Sequence, residues 1–214
     1  MNQVYRMVKK WRVKTKTPMI IIAIIASLFF IFQTYVVMST NRSESQKYDV
    51  VRTEKDFEIR FYPSVTMATI TSSVKTYKEL GSSGFKKLAN YIFGGNQEKK
   101  QIAMTAPVHM DVSDSLSSMS FVMPANYMKD SLPLPNDSTV KINTTSDEYV
   151  AAIKFEGFAS EKDIKFYTEK LENALKEKGV SYYGHFRFLG YNPPYQLMGR
   201  KNEIIISVNW NKKI

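Results

Sequence analysis

The sequence predicts an α+β domain carried behind one N-terminal transmembrane helix. Three observations predict it. Residues 19–38 are a run of twenty without a charge. Downstream, segments that alternate as strands do are interrupted by two segments with helical periodicity. The order of strands, helix and strand pair then occurs twice, a duplication in pattern between halves that share no strong sequence identity.

The first element is the apolar run "MIIIAIIASLFFIFQTYVVM". At about 1.5 Å rise per residue it is long enough to cross a hydrocarbon core of about 30 Å, and residues 18–38 read as a transmembrane anchor. Residues 1–17 hold Arg6, Lys9, Lys10, Arg12, Lys14 and Lys16 and no acid, whereas residues 39–56 carry four basic and four acidic side chains. The positive-inside rule makes 1–17 a cytoplasmic leader and puts the C-terminal domain of this single-pass protein outside the cytoplasm. A cleaved signal peptide centred on Met19 to Phe32 is the competing reading. Against it stand the long basic leader, the total apolar length and the lack of a small-x-small site around Val37 to Thr40. "STNRSESQK", residues 39–47, reads as a polar tether. Asn41, Asn136 and Asn143 head glycosylation triplets that matter only in a eukaryotic secretory route.

The 214 residues fit one domain plus an appendage, and 43% hydrophobic residues suffice for a core. Cysteine is absent, which excludes disulfides, thiolate nucleophiles, iron–sulfur ligation and thiolate-bound haem. Of the net charge of +10, six charges lie in the leader, leaving +4 for the rest. No basic stripe interleaved with aromatics follows, so no nucleic-acid partner is expected.

In "FEIRFYPSVTMATITSS" Phe57, Ile59 and Phe61 share one face and Glu58, Arg60 and Tyr62 the other. Pro63 breaks the run before Met67 to Thr71, giving an antiparallel pair or one bent strand. "YKELGSSGFKKLANYIFGG" sets Tyr77, Leu80, Gly84, Leu88 and Tyr91 at helical spacing, weakened by Gly81 and Gly84 and stopped by Gly94-Gly95. "KQIAMTAPVHMDV" and "MSFVMP" read as strands, and "NYMKDSLPLPNDS" as an irregular loop. "VKINTTSDEYVAAIKFEGF" reads as a hairpin. A helix follows, with Ser160 as N-cap, Asp163 three residues on, the stripe Ile164, Tyr167, Leu171 and Leu175, and Gly179 as stop. "YYGHFRFLGYN" and "EIIISVNW" close the chain as strands, the last apolar on both faces and therefore central.

At "KKLANYIFGGNQEKKQIAMTAPV", "FVMP" and "GYNPPYQLMGRKNEI" the chain resembles the SOUL family of haem-binding proteins, with a likeness running from Tyr48 to about Trp210. The resemblance implies a distorted antiparallel β-barrel with two flanking helices, built by internal duplication and occupying residues 48–214. It also implies non-covalent binding of haem or another tetrapyrrole, for carrying, buffering or sensing, through an apolar surface at the first helix and neighbouring loops. In some members a histidine after the "IR" of the first strand pair is a proposed axial ligand. Here Phe61 stands at that position, so that ligand does not carry over.

A haem face needs an apolar platform and cations for two propionates. Leu80, Phe85, Leu88 and Ile92 are the candidates for the platform and Lys86 or Lys87 for the propionates, while the same apolar stripe would equally pack the helix onto a sheet. For metal ligation His109 is a weak candidate: in an ideal strand it shares a face with Thr105, Pro107 and Asp111, away from Met104, Val108 and Met110. A bulge at Pro107 would re-aim it. His185 shares its face with Tyr183 and Arg187 and is not expected to ligate. The methionines are expected as packing. Glu203 is either a solvated strand-mouth residue or, with Tyr191 or Tyr195, the polar handle of a pocket for a small molecule, in an effector-type binding or hydrolytic site. No nucleophile elbow, paired-histidine metal motif or phosphate loop is present, so an enzyme is not expected. An interaction module is the remaining alternative.

Overall fold

The computed structural model describes the backbone from Asn2 to Trp210 and the side chains from Thr17 to Trp210. The chain divides between Arg42 and Ser43 into two units. The first is a helix, α1 (Asn2–Arg42). Its stretch Thr17–Arg42 is long and apolar enough to cross a membrane. Ile20, Ile24, Leu28 and Ile31 are exposed along it. Ser27 and Thr34 donate to the carbonyls of Ala23 and Phe30 one turn back, so their hydroxyls need no water. The side chains of residues 1–16, which include the basic residues of the expected cytoplasmic leader, lie outside the described residues.

The second unit contains β1 (Asp49–Thr53), β2 (Glu58–Tyr62), β3 (Thr66–Ser72), α2 (Tyr77–Ile92), β4 (Val108–Asp111), β5 (Ser117–Val122), a 3-10 turn at Lys129–Ser131, β6 (Lys141–Thr144), β7 (Glu148–Glu156), α3 (Glu161–Glu177), β8 (Tyr182–Gly190) and β9 (Lys201–Val208). The strands form one antiparallel sheet in the order β1-β2-β7-β9-β8-β4-β5-β3-β6. This corrects the expected barrel. The sheet is open, because β1 and β6 end it without pairing with each other, β1 exposed along its length and β6 only four residues long.

The expected β6–β7 hairpin is also corrected, and of the two readings of residues 57–72 the structure excludes the antiparallel pair and leaves one strand bent at Pro63. β2 and β3 do not pair, nor do β6 and β7; instead β2 lies beside β7 and β6 beside β3. With β1 set aside, each half runs ββαββ and lends its first strand to the other half. Alternation in a strand records which side chains face the core, not which strand lies alongside, so local pattern could not distinguish a hairpin from this exchange.

α2 starts where the Thr76 side chain accepts from the Glu79 amide, and buries Leu80, Gly84, Leu88, Tyr91 and Ile92 against β3, β4 and β5. Gly84 has a reason beyond helix propensity. A Cβ there would stand 2.9 Å from Ile70 Cδ1, so the missing side chain lets α2 settle close onto β3. α3 opens on a capping box between Ser160 and Asp163 and packs Ile164, Leu171 and Leu175 toward β7, β8 and β9. Both helices cover one face of the sheet and enclose the main core, which includes Ile59, Ile70, Met119, Phe121, Ile153, Phe188, Ile204 and Ile206. On the opposite face Tyr62, Val150, Ala152, Leu189 and Ile205 form a smaller buried cluster under Tyr48 and Tyr191.

Of the stretch expected as a tether, residues 39–42 end α1, and residues 44–46 are hydrogen-bonded into the second unit. The Gln46 amide donates to Ala106 O, the Ala106 amide to Glu44 O, and Glu44 Oε1 accepts from the Ala125 amide.

Candidate functional site

β2 and β9 each turn one charged residue onto the sheet face opposite the helices, and both residues are 0% exposed. Arg60 Nη1 donates to Glu203 Oε2 at 2.9 Å and Nη2 to Glu203 Oε1 at 3.2 Å, a two-pronged pair. Tyr191 Oη donates to Glu203 Oε2 at 2.7 Å, and Lys201 Nζ reaches Oε1 at 3.3 Å from the rim. Arg60 also donates to Tyr62 Oη and to Glu58, and its guanidinium lies 4.1 Å from the centre of the Tyr48 ring. Burial opposes the guanidinium charge, but the bonds to Glu203 outweigh it and hold Arg60 more firmly protonated than usual. Burial, then the Glu203 charge, pushes Tyr62 up to about 12 and Tyr191 well above the ordinary phenol range. Glu203 is thus buried rather than solvated at the strand mouth, and its oxygens meet Arg60, Tyr191 and Lys201. Tyr191 joins it, whereas Tyr195 is exposed on the β8–β9 loop.

His109 lies on this same face, buried, in register with Leu189 on β8 and Ser120 on β5. Its Nε2 is 2.7 Å from Gln46 Oε1. Burial, helped by the Arg187 charge, lowers its pKa to about 3, so the ring is neutral at physiological pH. The ring is 7% exposed and its Nε2 is engaged by Gln46.

The α2 candidates separate. Leu80, Leu88 and Ile92 are core residues facing β3–β5 and present no surface. Phe85 is half-buried, its ring edge-on to Phe121 at 5.3 Å between centroids. Lys86 and Lys87 are exposed, with Lys87 donating to Thr139 Oγ1.

Of the two best-formed clefts among the described residues, the larger is about 720 Å³. It lies between the start of α2, the first turns of α3, the β4–β5 turn and the first part of β8, lined by Tyr77, Val112, Ile164 and Phe186 with Lys75, Lys165 and His185. The smaller, about 380 Å³, lies beside residues 44–47, 63–66 and 122–129. His185 enters the larger cleft because β8 bulges. Pairing jumps from Tyr183↔Ser207 to Arg187↔Ile205, so three residues of β8 stand against one of β9, with Gly184 at φ +77°. His185 Nδ1 stands 3.4 Å from Asp111 Oδ2, and Asp111 Oδ1 is buried without a hydrogen-bond partner. The glycine inside the strand pattern "YYGHF" was the available signal for that bulge. Among the described residues, no three His, Asp or Glu side chains gather to hold a metal ion.

Comparison with known proteins matches this architecture to one family. The SOUL heme-binding protein family matches residues 43–207, which covers the sheet and both of its helices. The chain belongs to the SOUL family. Heme-binding protein 1 of Xenopus laevis is 30% identical over 166 residues, 72% of this chain and 86% of that protein. Heme-binding protein 2 of Mus musculus is 32% identical over 157 residues, 69% of this chain and 76% of that protein. Among solved structures, the SOUL domain resembles the C-terminal domain of EcmrR with a TM-score of 0.57 at 8% identity, over 72% of this chain and 98% of that one. A hydrolase from Listeria innocua gives 0.53 at 9% identity, over 74% and 94%. At such identities the likeness concerns the fold alone.

Proposed function

We propose that the SOUL domain binds haem or a related tetrapyrrole reversibly and without a covalent bond, and that α1 holds the domain to a membrane, where the ligand is carried, buffered or sensed. The observation that carries the reading is the family match over residues 43–207, together with relatives named for haem binding. In this reading the protein is a binding protein rather than an enzyme, with the N-terminus cytoplasmic and the domain outside the cytoplasm.

The residues present fit such a ligand best at the larger cleft. Tyr77, Val112 and Phe186 supply apolar walls over the buried Ile164, and Lys75 and Lys165, set beside Asp114 and Glu161, supply cations for the two propionates. The second location is the exposed side of α2 at Phe85, Lys86 and Lys87, favoured by the uncovered part of the Phe85 ring. The reading in which Glu203 is the handle of a different small-molecule or hydrolytic pocket is disfavoured by its pairing with Arg60.

Titration of the full chain in detergent micelles with haemin, followed in the Soret band, tests the function. A saturable one-to-one transition is expected. Lys165→Glu, an exposed position on the cleft wall, should weaken it at least tenfold while Phe85→Asp leaves it unchanged. Loss on Phe85→Asp alone moves the site to α2, and an unsaturable, non-stoichiometric change removes the proposal.

A further inference from the structure

Resting on the haem reading above, we propose that His185 is the iron ligand, held in position by Asp111 at the wall of the cleft between the starts of α2 and α3. The donor set leaves little choice. The chain has two histidines and no cysteine. His109 is buried with Nε2 tied to Gln46. Met67, Met110, Met119 and Met123 are buried in the domain, and the partly buried Met104 and the exposed Met128 and Met198 do not line the cleft. Tyr77 does line it, but burial first, and the charges of Asp111 and Glu161 next, push its hydroxyl up to about 12, so it is not a phenolate at neutral pH.

His185 differs from each of these. Its side chain is 60% exposed, and the bulge at Gly184 frees it from ladder pairing. The Asp111 carboxylate stands 3.4 Å from Nδ1, so its charge favours the tautomer with the proton on Nδ1, which leaves the Nε2 lone pair for a metal. A ring nitrogen backed by a carboxylate is also a stronger donor. Asp111 is anchored in β4 opposite Arg187 of β8, so its position is set by the sheet rather than by a loop. Its second oxygen, buried and without a partner, gains from any increase in positive charge on the imidazole. Lys75, bonded to the Asp114 carbonyl, lines the same cleft as His185.

Apolar docking alone and iron ligation make different demands, which two porphyrins separate. The full chain in micelles is titrated with haemin and, separately, with metal-free protoporphyrin IX. Ligation by His185 predicts that wild type binds haemin at least tenfold tighter than protoporphyrin IX and gives the absorption spectrum of a histidine-ligated ferric haem. His185→Ala should abolish both the preference and that spectrum while leaving protoporphyrin affinity unchanged, which also reports that the variant is folded. Asp111→Asn should lower haemin affinity by about tenfold, the usual size of a carboxylate support to a histidine ligand, with protoporphyrin again unaffected. If His185→Ala keeps the haemin affinity and spectrum of wild type, the ligation is overturned while haem binding stands. If wild type binds neither porphyrin, the haem reading itself fails and the ligation falls with it.

Discussion

Glu203→Gln in the full chain lowers the thermal midpoint of the SOUL domain by about 6–20 °C, corresponding to a loss of about 3–5 kcal/mol at the 2–4 °C per kcal/mol typical of a domain this size. The size follows from what is left behind. Arg60 and Glu203 are both wholly buried, and neutralising Glu203 removes the two-pronged partner of Arg60 and leaves the buried guanidinium only Glu58, a carboxylate it shares with Lys154. Arg60→Met should cost a similar amount, because Glu203 would then keep only Tyr191 and the rim cation Lys201. The pair is worth far less than either loss implies. Arg60→Met combined with Glu203→Leu removes both desolvated charges together and should recover most of the stability, with a coupling of about 2 kcal/mol or more. Thermal unfolding followed by circular dichroism measures all four corners of this cycle. Single variants within 2 °C or so of wild type (roughly 0.5–1 kcal/mol by the same conversion) would show that the pair is not buried as described.

Acid weakens the domain through His109, beginning at an unusually high pH. Its folded pKa of about 3 lies below the value near 6.5 expected in the unfolded chain, because burial and the Arg187 charge disfavour the imidazolium. Between those two values the unfolded chain binds a proton that the native one refuses. The stabilisation is therefore complete above pH 6.5 and is lost as pH falls toward 3, at up to about 1.4 kcal/mol per pH unit. From pH 6.5, where the unfolded imidazole is half protonated, to pH 5 the loss is roughly 1.5 kcal/mol. His109→Gln keeps a neutral amide that can still meet Gln46 and removes the titration, so its thermal midpoint should be flatter with pH across this interval. Parallel pH profiles for wild type and His109→Gln would contradict the buried, neutral ring.

The parts of this molecule written in local sequence were readable. α3 begins at the Ser160–Asp163 box and α2 stops ahead of Gly94, because caps and stripes are properties of adjacent residues. The apolar run within α1 was readable from composition alone. What was not readable depends on distant partners. Arg60 sits on the polar side of an alternating strand, and only the cover supplied by Tyr48 and Tyr191 makes that side an interior. Glu203 pairs across 143 residues of chain, a separation no local window spans. β1 escaped notice because all five of its residues are exposed and carry no burial pattern. The candidate haem stripe was a correct reading of helical periodicity, yet periodicity marks a buried face equally well whether a sheet or a ligand covers it, and for Leu80, Leu88 and Ile92 it is the sheet. The cleft with His185 was hidden for the opposite reason, since a bulge changes the facing of a residue that regular alternation assigns elsewhere.

Hydrogen exchange of the full chain in micelles, with and without saturating haemin, tests the central claim most directly by reporting which backbone amides the ligand covers. The account predicts new protection confined to residues 75–77, 112–115, 161–168 and 184–186, with β1 and the β8–β9 loop unchanged. Protection that instead appears along residues 85–93, or that is absent everywhere while haemin is bound, would contradict a haem seated between the two helices.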